Sequence, residues 1–312
     1  VNANANNTIN FAAGAGSNDE DMYVILNGNQ LGAITISNTS QTVYFEDDID
    51  VLGDITINSS TTMDIGTNNS NVDLGASFNN SGSLVISGET MTFTGTGTNN
   101  IGTVNDATAT VTVNKSGGTL STTGDLTLDQ LNITGSGGTL LIDGESITYD
   151  DGLVISAGTL QITSGLLHHT DYKADAISIS GGTLDVDGGE VRIGDNDGSD
   201  YGPDIEMSSG TIDISGGSVN INDELDVYNG TVTISGGTLS IGTYSGSNSD
   251  GGTATTDRFE MDAGTLNLTA GTINIYGQIN SSSYDALDLA SGVTVNANAN
   301  NTINFAAGAG SN

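Results

Sequence analysis

The chain has 312 residues and a formal net charge of −34, with 38 acidic residues set against Lys115, Lys173, Arg192 and Arg258. That imbalance excludes nucleic acid as a partner, because phosphate binding needs clustered Lys and Arg. There is no Cys for a disulfide framework and no apolar run long enough to cross a membrane as a helix, so membrane insertion of that kind is excluded as well.

The first element is residues 1–18, VNANANNTINFAAGAGSN, and the same letters return as residues 295–312. Chance does not produce such an identity, and drift erodes one inherited from an old duplication. Internal repetition decides architecture before any other signal. The chain therefore reads as a window on a tandem array: residues 1–294 form one full repeat, and residues 295–312 start the next identical one, with no internal domain boundary. Val1 follows no Met, basic segment or apolar segment, so no signal peptide is visible. A designed overlap and a permuted domain are the alternatives.

Apolar residues alternate with period 2 along most of the chain, between turns rich in Gly, Asn and Ser, which indicates short strands without helices. In the N-terminal half, Ile49/Val51, Ile55/Ile57 and Met63/Ile65 form one coil of three strands. Val72/Leu74, Leu84/Ile86 and Met91/Phe93 form another. Leu131/Ile133, Leu140/Ile142 and Ile147/Tyr149 follow, then Leu153/Ile155, Leu160/Ile162 and Leu167. The pattern is clearest beyond them. Ile177/Ile179, Leu184/Val186 and Val191/Ile193 are followed by Ile205/Met207, Ile212/Ile214 and Val219/Ile221. Next come Leu225/Val227, Val232/Ile234 and Leu239/Ile241, then Phe259/Met261, Leu266/Leu268 and Ile273/Ile275. The last coil runs through Leu287/Leu289, Val293/Val295 and Ile303/Phe305.

Spacing within a coil is constant while the distance between coils varies, so all added residues fall at one corner. The expected fold is all-β: a parallel β-solenoid with three strands per coil and about 11 to 12 coils per 294-residue repeat, roughly 50 to 60 Å of fibre at the strand spacing. A solenoid end exposes strand edges that natural proteins cap. No cap is recognisable here, and the next coil after the last is the chain's own beginning.

Corner insertions fall at about 168–176, 194–204, 242–258 and 276–286. In the second, Asp195, Asp197 and Ser199 offer oxygens at alternate positions, as Ca²⁺ loops do, with Asp200 beside them. Gly falls at position 4 instead of 6, and no Glu stands at position 12, so an EF-hand is not indicated. These four residues are the candidate Ca²⁺ ligands; a solvated Asp/Gly turn is the competing reading. No cofactor is required. Other acid clusters are Asp19-Glu20-Asp21, Glu46-Asp47-Asp48 with Asp50, Asp150-Asp151, and Asp223-Glu224 with Asp226. Each sits near an expected corner and reads most simply as a solvated face. His169 takes an inward place equivalent to Ile193 and Tyr149, while His168 points out, so the two do not share a metal.

Segments such as SGGTLDVDGGEVRIG (180–194) and SGTIDISGGSVNI (209–221) carry a resemblance in repeat style. The chain resembles the right-handed parallel β-helices of bacterial surface proteins: filamentous-haemagglutinin-like adhesins, autotransporter passenger domains and giant tandem-repeat fibre proteins. The resemblance implies a right-handed coil, the usual hand of parallel crossovers, and an extracellular or cell-surface place. It carries over no catalytic residue.

The expected function is a structural subunit of an extracellular filament, whose partner is the next repeat, head to tail. One alternative is the stalk of a surface adhesin with its binding tip elsewhere; another is a Ca²⁺-stabilised matrix or surface-layer protein. An enzyme is not expected: polysaccharide lyases of this fold need a base beside clustered carboxylates, and the four basic residues here are scattered. Thr110-Val111-Thr112 and Thr231-Val232-Thr233 match ice-binding faces in style, but the pattern does not recur in successive coils. With only Lys115 and Lys173 available, isopeptide cross-links are not expected either.

Overall fold

The computed structural model of the chain describes residues 7–12, 21–37, 42–171, 176–194, 205–222, 224–242, 259–276 and 286–305. Among them there are strands and turns and no helix. The chain divides into two compact units, Val1–Leu141 and Ile142–Asn312. In each unit parallel strands form a sheet wound round an axis.

In the first unit, Thr8–Phe11, Ala33–Ile36, Ile55–Ile57 and Phe78–Asn80 pair in that order, which stacks Ile9, Ile34, Ile55 and Phe78. A second run stacks Ile49, Val72, Met91, Val111 and Leu131. A third set of strands, Met22–Val24, Thr42–Phe45, Thr62–Asp64 and Ser83–Val85, forms a separate parallel sheet. One expected coil is corrected here. Met91/Phe93 is not the third strand after Val72/Leu74 and Leu84/Ile86; it lies directly upon Val72/Leu74, as the corresponding strand one layer on. The missing strand is Phe78–Asn80. Its sequence, FNN, carries one apolar residue, so it shows no alternation, yet Phe78 is fully buried.

The second unit follows the expected lattice closely. Leu153, Ile177, Ile205, Leu225, Phe259 and Leu287 form one inward column. Leu160, Leu184, Ile212, Val232, Leu266 and Val295 form the next. Leu167, Val191, Val219, Leu239, Ile273 and Ile303 form the third. From Ile177 to Ile221, each strand pairs with the third strand after it. Away from the chain's end these column residues are buried. Each contributes roughly 1.5 to 3 kcal/mol, on the scale for covering such a side chain. The columns leave Ile193, Ile241 and Ile275 in line. The insertions expected at about 194–204, 242–258 and 276–286 lie almost wholly outside the described residues, and the one expected at about 168–176 starts later, since His168 and His169 still belong to a strand.

A second expectation is corrected at the last of these layers. The pair opposite Leu266/Leu268 is Val295/Ala297, while Val293, on the same face, lies opposite Gly264. A register shift between Met261 and Ala263 adds one residue to the later strand.

The turns are built from glycine where layers touch. Gly189, Gly217, Gly237 and Gly271 all hold positive φ. A Cβ on Gly237 would stand 2.6 Å from the carbonyl oxygen of Gly216 in the layer below. Both demands, a left-handed backbone and close approach of the neighbouring layer, admit only Gly.

Candidate functional site

Three kinds of place carry polar chemistry or unpaired surface: the acidic turns, a few polar side chains within the core, and the two copies of the repeated segment.

The four candidate calcium ligands, Asp195, Asp197, Ser199 and Asp200, lie outside the described residues, as do Asp19, Glu20 and Asp223. Among the described residues no group of three or more acidic or histidine side chains is placed to hold a metal ion. Several of the acids do something simpler: they accept hydrogen bonds from backbone N–H groups at turns. Asp47 accepts from Leu26 N at 2.8 Å and from Asn27 N. Asp48 accepts from Asn71 N at 2.9 Å, and Asp54 from Ser77 N at 2.9 Å. Asp106 accepts from Ser87 N and Thr108 N, each at 2.9 Å. Burial alone would raise the Asp106 pKa, but the bonds from Thr108 and Ser87 outweigh it and hold the carboxyl below its usual value.

One group of acids is strained electrostatically. Asp185 lies opposite Asp213 on adjacent strands, with Asp187 near both. Burial first, then the charge of Asp187, raises the pKa of Asp213. The same causes, with Asp213 added, raise that of Asp185. Gln161 Nε2 bridges Asp185 and Asp187 at 3.1 and 2.9 Å, which relieves part of the repulsion.

Within the core of the first unit, the Lys115 side chain is fully covered. Its ammonium donates to Asn99 Oδ1 at 2.6 Å and to the carbonyl oxygen of Thr94 at 3.3 Å. Burial lowers its pKa. In the second unit His169 is fully buried, opposite Ile193 as expected, with its ring 5.1 Å from that of Tyr149. Burial holds His169 below the usual histidine value and drives the Tyr149 phenol well above its own. Arg192 forms an exposed ion pair with Glu190 at 3.0 Å, two residues away on its own strand. Charge engaged locally in this way is worth little to stability. It is also committed to a neighbour and does not stand over a carboxylate pair.

The threonine expectation is sharpened. The T-x-T pair does not persist, but one outward position is Thr in six consecutive layers: Thr159, Thr183, Thr211, Thr231, Thr265 and Thr294. The other position changes among Gln161, Asp185, Asp213, Thr233, Asn267 and Asn296. Stacked Thr on adjacent strands stabilises a sheet through side-chain contacts.

The repeated segment folds the same way in both places. Thr8–Phe11 and Asn301–Phe305 are both strands over the shared letters TINF. The first copy pairs with Ala33–Ile36, which follows it in sequence. The second pairs with Gly271–Ile275, which precedes it. Ile9 and Ile303 are each half-buried, whereas their partners Ile34 and Ile273 are buried. Phe11 is half-buried with its ring edge-to-face on Phe45, centroids 6.1 Å apart, while Phe305 is 62% exposed. No signal in the sequence singled out Lys115, Asn99 or Phe78, since each is an isolated departure from alternation.

Among the described residues no helix is long and apolar enough to cross a membrane. Comparisons of the chain with protein-family models, with curated proteins and with solved structures give no match.

Proposed function

We propose that this chain is a unit of an extracellular filament in which 294-residue repeats follow one another head to tail as one β-solenoid. The observation that carries the reading is the repeated segment: the same residues form a parallel strand in both places, and among the described residues each copy pairs on one side only. In this reading the coil is right-handed, with three strands per coil and about 11 to 12 coils per repeat, which suits the recurring third-strand pairing of the second unit. Its role is mechanical. Backbone hydrogen bonds between parallel strands run along the fibre, and the apolar columns provide a continuous core. The extracellular placement rests on the resemblance in repeat style. No catalytic role is proposed, because the basic side chains described are held in local or buried pairs.

Electron microscopy of the native material tests the reading. Long unbranched filaments of uniform width are expected; compact particles about 60 Å long, the length of one repeat at the strand spacing, would defeat it.

A further inference from the structure

The two copies of the repeated segment use opposite sides of the same residues. In the first copy, Ser37 Oγ donates to Asn10 Oδ1 at 2.8 Å, and Ser37 N donates to the carbonyl oxygen of Phe11 at 2.8 Å. In the second, Asn304 Nδ2 donates to Asn274 Oδ1 at 2.9 Å, and Asn274 Nδ2 donates to Ser240 Oγ at 3.4 Å. Asn10 and Asn304 are the same residue of the repeat. One copy engages the carbonyl end of the amide and the other engages its amino end. Neither set of contacts excludes the other, and together they satisfy both ends of one side chain.

Backbone pairing is complementary in the same way. Thr302, Ile303, Asn304 and Phe305 face Thr272, Ile273, Asn274 and Ile275. The equivalent Thr8, Ile9, Asn10 and Phe11 face Ala33, Ile34, Thr35 and Ile36. Identical residues with the same strand conformation therefore have two known neighbours, one on each edge.

We infer that strand 301–305 is the joint of the array: it stands where Thr8–Phe11 stands in this chain, so the Ala33–Ile36 strand of the repeat that follows pairs on its other edge, with Ile34 opposite Ile303 and Ile36 opposite Phe305. The inference rests on the filament reading and specifies its joint. The side-chain ladder across the joint runs Ser37, Asn304, Asn274, Ser240, each donating to the next. The exposed Phe305 ring then meets Phe45 of the following repeat as Phe11 meets Phe45 within this one. Ile303, half-covered in either copy alone, becomes a core residue like Ile34 and Ile273. The joint needs no linker and no adaptor, because the apolar columns and the hydrogen-bond ladder continue through it in register.

A chain carrying two successive 294-residue repeats tests this directly. The sequence has no Trp, so Phe305→Trp provides a single fluorophore. At the joint of the two-repeat chain its emission is expected to lie at shorter wavelength, with weaker iodide quenching, than in the 312-residue chain. Equal emission in the two would overturn the joint. Register is read separately with Asn274→Cys in the first repeat and Thr35→Cys in the second, which the inferred pairing sets two strand spacings, roughly 9.6 Å, apart. A bis-maleimide of about that span should join them within one chain. No link in a chain of unchanged circular dichroism overturns the register. If filaments are nevertheless seen, only the joint is wrong; a link without filaments upholds the joint and removes the filament.

Discussion

His169 and Lys115 are the residues at which this chain departs most from a plain apolar core. His169 occupies a column position that Ile193 fills in the adjoining layer. Its pKa is depressed by burial, so the folded state binds fewer protons than the unfolded chain does. The stability it permits is present above the unfolded value of 6.5 and is lost as pH falls through the lower folded value. His169→Ile is expected to stabilise the protein by about 1 to 3 kcal/mol, by removing an imidazole from apolar surroundings. It should also flatten the fall in melting temperature between pH 7 and pH 5, measured by circular dichroism. Lys115 shows the opposite dependence on a partner. Asn99→Leu leaves the covered ammonium without its 2.6 Å acceptor and should cost about 1 to 3 kcal/mol. Lys115→Met together with Asn99→Leu should recover most of that loss, since apolar replacement of both partners is often neutral. Urea denaturation of the single and double variants checks both statements.

At the scale of the strand and turn, the layers are held to one register by glycine at the corners and by alternation along the faces. Gly237 combines positive φ with a carbonyl oxygen where its Cβ would lie. Gly237→Ala is therefore expected to lower stability by more than ~1 kcal/mol, whereas the same change at a site with compatible backbone and open space would raise it slightly. Ser235→Ala, in the same turn, serves as the mild comparison in thermal melts. Alternation made the strands of the second unit legible residue by residue: the columns through Leu160, Leu167 and Ile177 were all readable from spacing. It failed at Phe78–Asn80, where one buried apolar residue does not make a pattern. At Val293 it gave the right face but the wrong register: the pair opposite Leu266/Leu268 is Val295/Ala297, two residues further on. A bulge has no compositional mark here, because the residues beside it would suit either face.

At the scale of the whole molecule, the charge of −34 opposes compaction and lateral contact alike. Raising NaCl from about 20 mM to about 0.5 M shortens the Debye length from roughly 20 Å to a few ångströms. The melting temperature should rise across that range, and light scattering should show more association between molecules. A melting temperature independent of salt would mean that the acids are already neutralised by turn amides or bound ions. Asp185 and Asp213 face each other on adjacent strands, where burial first and then neighbouring carboxylates act on both. Their raised pKa values mean that the folded state binds more protons than the unfolded chain. Their contribution is thus fullest below 3.8 and is lost as pH rises through the raised folded values. This acts against the His169 dependence, so the pH profile of the His169→Ile variant should rise towards acid.

The sequence by itself determined that the chain is all-β, that its strands recur with period 2, that added residues collect at one corner, and that residues 1–18 return as residues 295–312. These are local properties: side-chain alternation, turn chemistry and literal identity need no knowledge of what lies opposite. Tertiary structure alone decided which strands pair across the first unit, where the register slips, and what the isolated polar residues of the core touch. It also decided which edge each copy of the repeated segment uses. Those depend on partners about 16 to 34 residues away, whose contacts leave no periodic trace along the chain. Two copies of one segment look alike in sequence because they are alike; only their neighbours distinguish them.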